Sequence, residues 1–116
     1  MLKAQNSLEL LKLVKTENLL EKLIEQLNKD FQLSGVSKNF ERTFTIEELN
    51  KELTEIILNL IQFKYDDYLN VMYRVDVSEK DLATIAHNNL IATVDQISFL
   101  ILKREFQKVW LKQNYK

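Results

Sequence analysis

One glycine and no proline in 116 residues constrain this chain more than any other feature. Sheet proteins turn their strands with glycine and proline, whose backbones reach conformations that other residues avoid. A chain that lacks them, and is rich in Leu, Glu, Lys, Gln and Ile, is left with helices joined by short polar loops. The expected fold is therefore all-α: a small bundle of about four antiparallel helices forming a single domain over residues 1–116. The residue balance supports a packed core, with 46% apolar and 28% charged side chains.

Four helices are read from apolar periodicity and capping signals, at about 16–34, 45–63, 66–75 and 78–112. Thr16 and Glu17 open the first, and Leu19, Leu20, Leu23, Ile24, Leu27 and Phe31 share its inner face. Gly35 follows where a left-handed C-terminal cap wants glycine. Leu8, Leu10, Leu11, Leu13 and Val14 do not continue that stripe. Residues 1–15 are read as an N-terminal arm or a short separate helix, with a break near Lys15. Val36 to Phe44 reads as a loop with Phe40 and Phe44 as anchors.

Thr45-Ile46-Glu47-Glu48 is a capping box and starts the second helix, whose inner face is Ile46, Leu49, Leu53, Ile56, Ile57, Leu60 and Ile61. After Phe63 the stripe changes phase to Tyr65, Tyr68, Leu69, Met72 and Tyr73. A new helix capped by Asp66 or Asp67 explains the shift, and one kinked helix is the alternative. Ser78-Glu79-Lys80-Asp81 opens the last helix. Uninterrupted to residue 112, it would run about 50 Å, longer than a domain of this size is wide. It must bend, with Asn88-Asn89 as the natural place, or project.

The last helix carries two apolar sets. Leu82, Ala86, Leu90, Val94, Ile97, Leu100 and Ile101 lie on one face; Phe99, Leu102, Phe106, Val109 and Trp110 lie on the other. A helix that is apolar on both sides needs cover from both sides. Two sources of cover are available: the chain's own Leu8–Val14 segment, or a second subunit. The reading favours the second, a homodimer with Phe99, Leu102, Phe106, Val109 and Trp110 as its interface.

The chemistry-bearing residues are few. His87 is the sole histidine and there are no cysteines, so thiolate metal sites, disulfides and cysteine nucleophiles are excluded. No phosphate-binding glycine loop and no Ser/His/Asp ordering is present. No metal, cofactor or catalytic residue is expected, and the chain is read as not an enzyme. Glu47, Glu48, Glu52 and Glu55 give an acidic stretch that resembles the E-E-x-x-E element of all-α nucleotide pyrophosphohydrolases. That resemblance implies Mg²⁺ held by Glu48, Glu52 and Glu55, but the spacing is E-x-x-x-E-x-x-E and the family's second carboxylate element has no counterpart.

From Lys103 onward, Lys103, Arg104, Lys108, Lys112 and Lys116 face one acid, Glu105. Arg104, Lys108 and Lys112 make a basic patch, the third reading being a nucleic-acid binder. A net charge of −1 argues against nucleic acid and against an anionic membrane surface. Arg74 and Asp76 are read as a salt bridge fixing the corner before the last helix. No apolar run has the length of a secretory leader or a membrane span, and the lack of cysteine suits a reducing compartment. The functional expectation is a non-enzymatic cytoplasmic protein that mediates protein–protein interaction and self-associates through its C-terminal helix.

Overall fold

A computed structural model describes residues 4–115; residues 1–3 of the expected arm and Lys116 of the basic stretch lie outside it. Among the described residues six helices follow one another: α1 Ser7–Thr16, α2 Leu20–Leu33, α3 Ile46–Phe63, α4 Tyr65–Val75, α5 Glu79–Leu82 and α6 Leu90–Asn114. No strand occurs among the described residues. The all-helical bundle read from composition is the architecture found.

Local chemistry accounts for most of the helix ends. The capping box at α3 is complete: Thr45 Oγ1 accepts from the Glu48 amide at 3.1 Å, and the Thr45 amide donates to Glu48 Oε1 at 2.8 Å. Gly35, at φ +81°, closes α2; the Gly35 amide donates to the Gln32 carbonyl and the Val36 amide to that of Phe31, the paired bonds of a Schellman turn. Asn18 does the same for α1. It sits at φ +59°, with its own amide on the Lys15 carbonyl and the Leu19 amide on that of Val14.

The expected boundary at Thr16 is thereby corrected. Thr16 ends α1 and its hydroxyl donates back to the Lys12 carbonyl. The break falls at Glu17–Leu19, and α2 starts without a side-chain cap. Residues 7–16 form the short separate helix, with Leu10, Leu11 and Val14 fully buried.

The phase shift after Phe63 marks a real break at Lys64, so α3 and α4 are separate helices. Its cap is not the expected aspartate. Lys64 occupies the N-cap position without a side-chain bond, and Asp66 and Asp67 sit in the first turn, where the helix dipole favours their charge.

The long last helix is divided. Ser78 caps only the four-residue α5, through the Asp81 amide. Residues 83–89 then leave helical geometry, and Asn89 restarts it, its Oδ1 accepting from the Ala92 amide at 3.0 Å. With 25 residues, α6 is roughly 37 Å long, which matches the longest molecular dimension of 37 Å.

α6 is the central element and packs against each of the other five helices. α1, α2 and α3 surround it, while α4 and α5 close one side. Phe40 pins the 36–44 loop to α2: its ring meets Phe31 edge-on at 5.2 Å, and its backbone exchanges two hydrogen bonds with the Asn28 side chain. No helix among the described residues is long and apolar enough to cross a membrane.

Candidate functional site

The residues expected to form a binding surface on the last helix are claimed by the chain itself. Leu102, Phe106 and Val109 are buried, and Phe99 and Trp110 are half-buried against the same core. The buried set on α6 does drift around its axis, from Thr93 and Val94 through Ile101 to Phe106 and Val109. The cover is intramolecular: α1 joins α2 and α3 around α6. A second subunit therefore has no access to Leu102, Phe106 or Val109 in this conformation, and Phe99 and Trp110 offer only their edges.

The basic row also turns inward. Arg104 Nε donates to the Asp76 carbonyl at 3.1 Å, and its Nη2 lies 3.4 Å from Asp76 Oδ2. Lys108 Nζ donates to Asp30 Oδ2 at 2.9 Å and to the Arg74 carbonyl at 3.3 Å. Lys112 Nζ donates to Gln26 Oε1 at 2.7 Å. The three cations expected as a patch thus stitch α6 to α2 and to the end of α4. The corner pair is corrected as well: Asp76 takes Arg104 as its partner, and Arg74 contributes its carbonyl.

Beneath Lys108 lies a group that the sequence reading passed over as the lone acid among bases. Glu105 is 0% exposed, and Asp30 beside it is 4% exposed. Burial, then hydrogen bonding with Asp30 and the Asp30 charge, pushes the Glu105 carboxyl up to about 9, so it holds its proton at neutral pH. Lys108 Nζ lies 3.1 Å from Glu105 Oε1, but neither Glu105 oxygen has a well-aligned hydrogen bond. Once protonated, Glu105 has the Asp30 carboxylate as its neighbouring acceptor. Burial alone would raise Asp30, but hydrogen bonds from Glu105, Lys108 and Gln26 outweigh it and hold that carboxyl below its usual value. The result is one anion and one cation, Asp30 and Lys108, with a neutral acid completing the set. Glu105 and Asp30 are sealed between α6 and α2, with Lys108 partly exposed above them.

The acidic stretch on α3 disperses. Glu48 is spent on the capping box, Glu52 pairs with Lys38, and Glu55 lies 4.0 Å from Lys51. No three metal-ligating side chains converge among the described residues, and His87 is exposed in the 83–89 loop. A groove between α1, α3 and α6, lined by Leu8, Asn50, Asp95 and Phe99, is open to solvent and holds Asp95 as its one charged group.

What remains is a surface on α4. Tyr65, Leu69 and Tyr73 stand one turn apart and all face solvent, Tyr73 at 83% exposure. The other side of the helix buries Tyr68, Val71, Met72 and Val75 in the core. Tyr65 leans on Tyr68, with ring centroids 5.4 Å apart, which holds one end of the stripe in place. The periodicity groups Tyr65, Leu69 and Tyr73 with Tyr68 and Met72 on one stripe. The structure splits it along its length.

No family model matches this sequence, and comparison with curated proteins and with solved structures likewise returns no match.

Proposed function

We propose that this chain is a non-catalytic protein-interaction domain that binds through the exposed face of α4. The observation that carries the reading is the outward row Tyr65, Leu69 and Tyr73 on a helix whose opposite face is already satisfied by the core. Exposed aromatic side chains on a rigid helix are the groups that dominate interface energetics when covered. The C-terminal helix, expected as the contact surface, serves instead as the axis of the bundle. Glu48, Glu52 and Glu55 have local partners, and Arg104, Lys108 and Lys112 are engaged by Asp76, Asp30 and Gln26. These engagements weigh against the magnesium-hydrolase and nucleic-acid readings. A cysteine-free sequence is compatible with a reducing compartment such as the cytoplasm.

A photoreactive residue at position 69, in protein expressed in its own cells, is expected to crosslink to a polypeptide. The same probe at exposed Lys51 on α3 is expected not to. Absence of any crosslink from position 69 would overturn the reading.

A further inference from the structure

A cleft of about 310 Å³ lies where α2 runs beside the end of α6. That volume falls at the lower end of the range for small-ligand sites. Residues 22, 25, 26 and 29 recur at helical spacing, so one face of α2 forms the first wall, and residues 109, 112 and 113 of α6 form the second. The bonds from Lys108 to Asp30 and from Lys112 to Gln26 fix the two walls against each other.

The cleft is cationic in a chain whose net charge is −1. Lys22, Lys29 and Lys112 line it, and Glu25 is the one acid among its lining residues. Glu25 is shared with Arg42, which lies outside the cleft at 3.9 Å. Neither Lys22 nor Lys29 has an ion-pair partner among the described residues. The acceptor under the Lys112 ammonium is a neutral amide, Gln26 Oε1 at 2.7 Å. Gln26 is itself buried, and its Nε2 donates to Asp30 Oδ2 at 3.1 Å, so it positions Lys112 without neutralising it. The buried acids beside the cleft do not offset the lysines either: Asp30 is matched by Lys108, and Glu105 holds its proton.

Three cations and one anion leave an excess of two positive charges. A phosphate monoester carries about −1.5 to −2 at pH 7, whereas a single carboxylate carries one negative charge. Its tetrahedral oxygens suit ammonium groups that arrive from both walls as point charges. A planar carboxylate is matched better by the fork of an arginine, and no arginine lines the cleft. The basic row does not continue as a track for a nucleic-acid backbone, because Lys108 and Arg104 are committed to Asp30 and Asp76.

We infer that the cleft between α2 and α6 is a binding site for a phosphate monoester group, held by Lys22, Lys29 and Lys112, with Gln26 as the positioning residue for Lys112. The site is separate from the α4 surface and does not depend on it.

The test is a titration of glycerol 3-phosphate into the full chain at constant ionic strength, followed by backbone amide NMR. Saturable shifts are expected at residues 22–29 and 109–113, with millimolar or tighter affinity. Acetate at the same ionic strength should leave these signals in place. Lys22→Gln combined with Lys29→Gln should weaken binding several-fold while the remaining spectrum stays folded, and Lys51→Gln on α3 should not change it. Vesicles of phosphatidic acid carry the same group on a lipid. Capture on them but not on phosphatidylcholine, reversed by glycerol 3-phosphate, would assign the group to a lipid headgroup; saturable titration without capture would assign it to a soluble ligand. The inference is overturned if the titration gives no saturable shifts, if acetate reproduces them, or if the double lysine variant binds like the wild type.

Discussion

Glu105 and Asp30 show how a single buried side chain sets the solution behaviour of a small domain. Glu105 titrates from an ordinary value of 4.5 when unfolded to about 9 when folded. Between those limits the native state carries one proton more than the unfolded chain. Stability therefore falls as pH rises through that window and levels off above it. Asp30 acts in the opposite sense: its carboxyl is lowered from 3.8, so its contribution is present above that value and lost as pH falls through the lowered one.

Replacing Glu105 by Gln keeps the shape and removes the proton requirement. The Glu105→Gln variant should be more stable at pH 7 by about 2 to 3 kcal/mol, with a flatter profile from pH 5 to 9. Urea unfolding at several pH values measures both, and an unchanged slope would sink the assignment. Lys108→Met leaves the buried Asp30 anion without its cation and should cost about 3 kcal/mol, read in the same titration.

The helices are bounded by short-range chemistry, and their ends respond to single changes. Thr45→Ala removes one half of the α3 capping box and should lower stability by about 1 kcal/mol. Asn18 holds a left-handed backbone at φ +59°, so Asn18→Ala should cost about 1 kcal/mol while Asn18→Gly costs nothing. Thermal unfolding of the three variants distinguishes these outcomes. Both features lie in the primary sequence, but only the Thr45 box announces itself through spacing. Asn18 reads as an ordinary polar residue beside Thr16 and Glu17, and Thr16 competes with it as an apparent N-cap. The same ambiguity hid the end of α5. Ser78 and Asp81 signal a start, nothing between them and Asn88 signals a stop, and only Asn89 recapping the chain separates α5 from α6.

At the scale of the molecule, α6 touches every other helix, so no pair of helices owns a separate core. Unfolding should be a single transition with a heat-capacity increase of roughly 1.5 kcal/mol/K. Fluorescence of Trp110, the one tryptophan, should change together with far-ultraviolet circular dichroism, and an earlier fluorescence change would disprove a shared core. Composition and periodicity by themselves determined the helical class, the inner face of α3, the break before α4 and the need of α6 for cover on more than one side. They could do so because propensity, capping and amphipathic spacing act within a few residues along the chain. Which surface supplied that cover was decided only by tertiary packing. α1, α2 and α3 together took the place expected of a second subunit, and the basic row found Asp30 and Gln26 at 78 and 86 residues' separation. Periodicity describes a helix about its own axis, whereas burial depends on what lies opposite. That is why the stripe on α4 reads as one face in the sequence and divides into a core half and a solvent half in the fold.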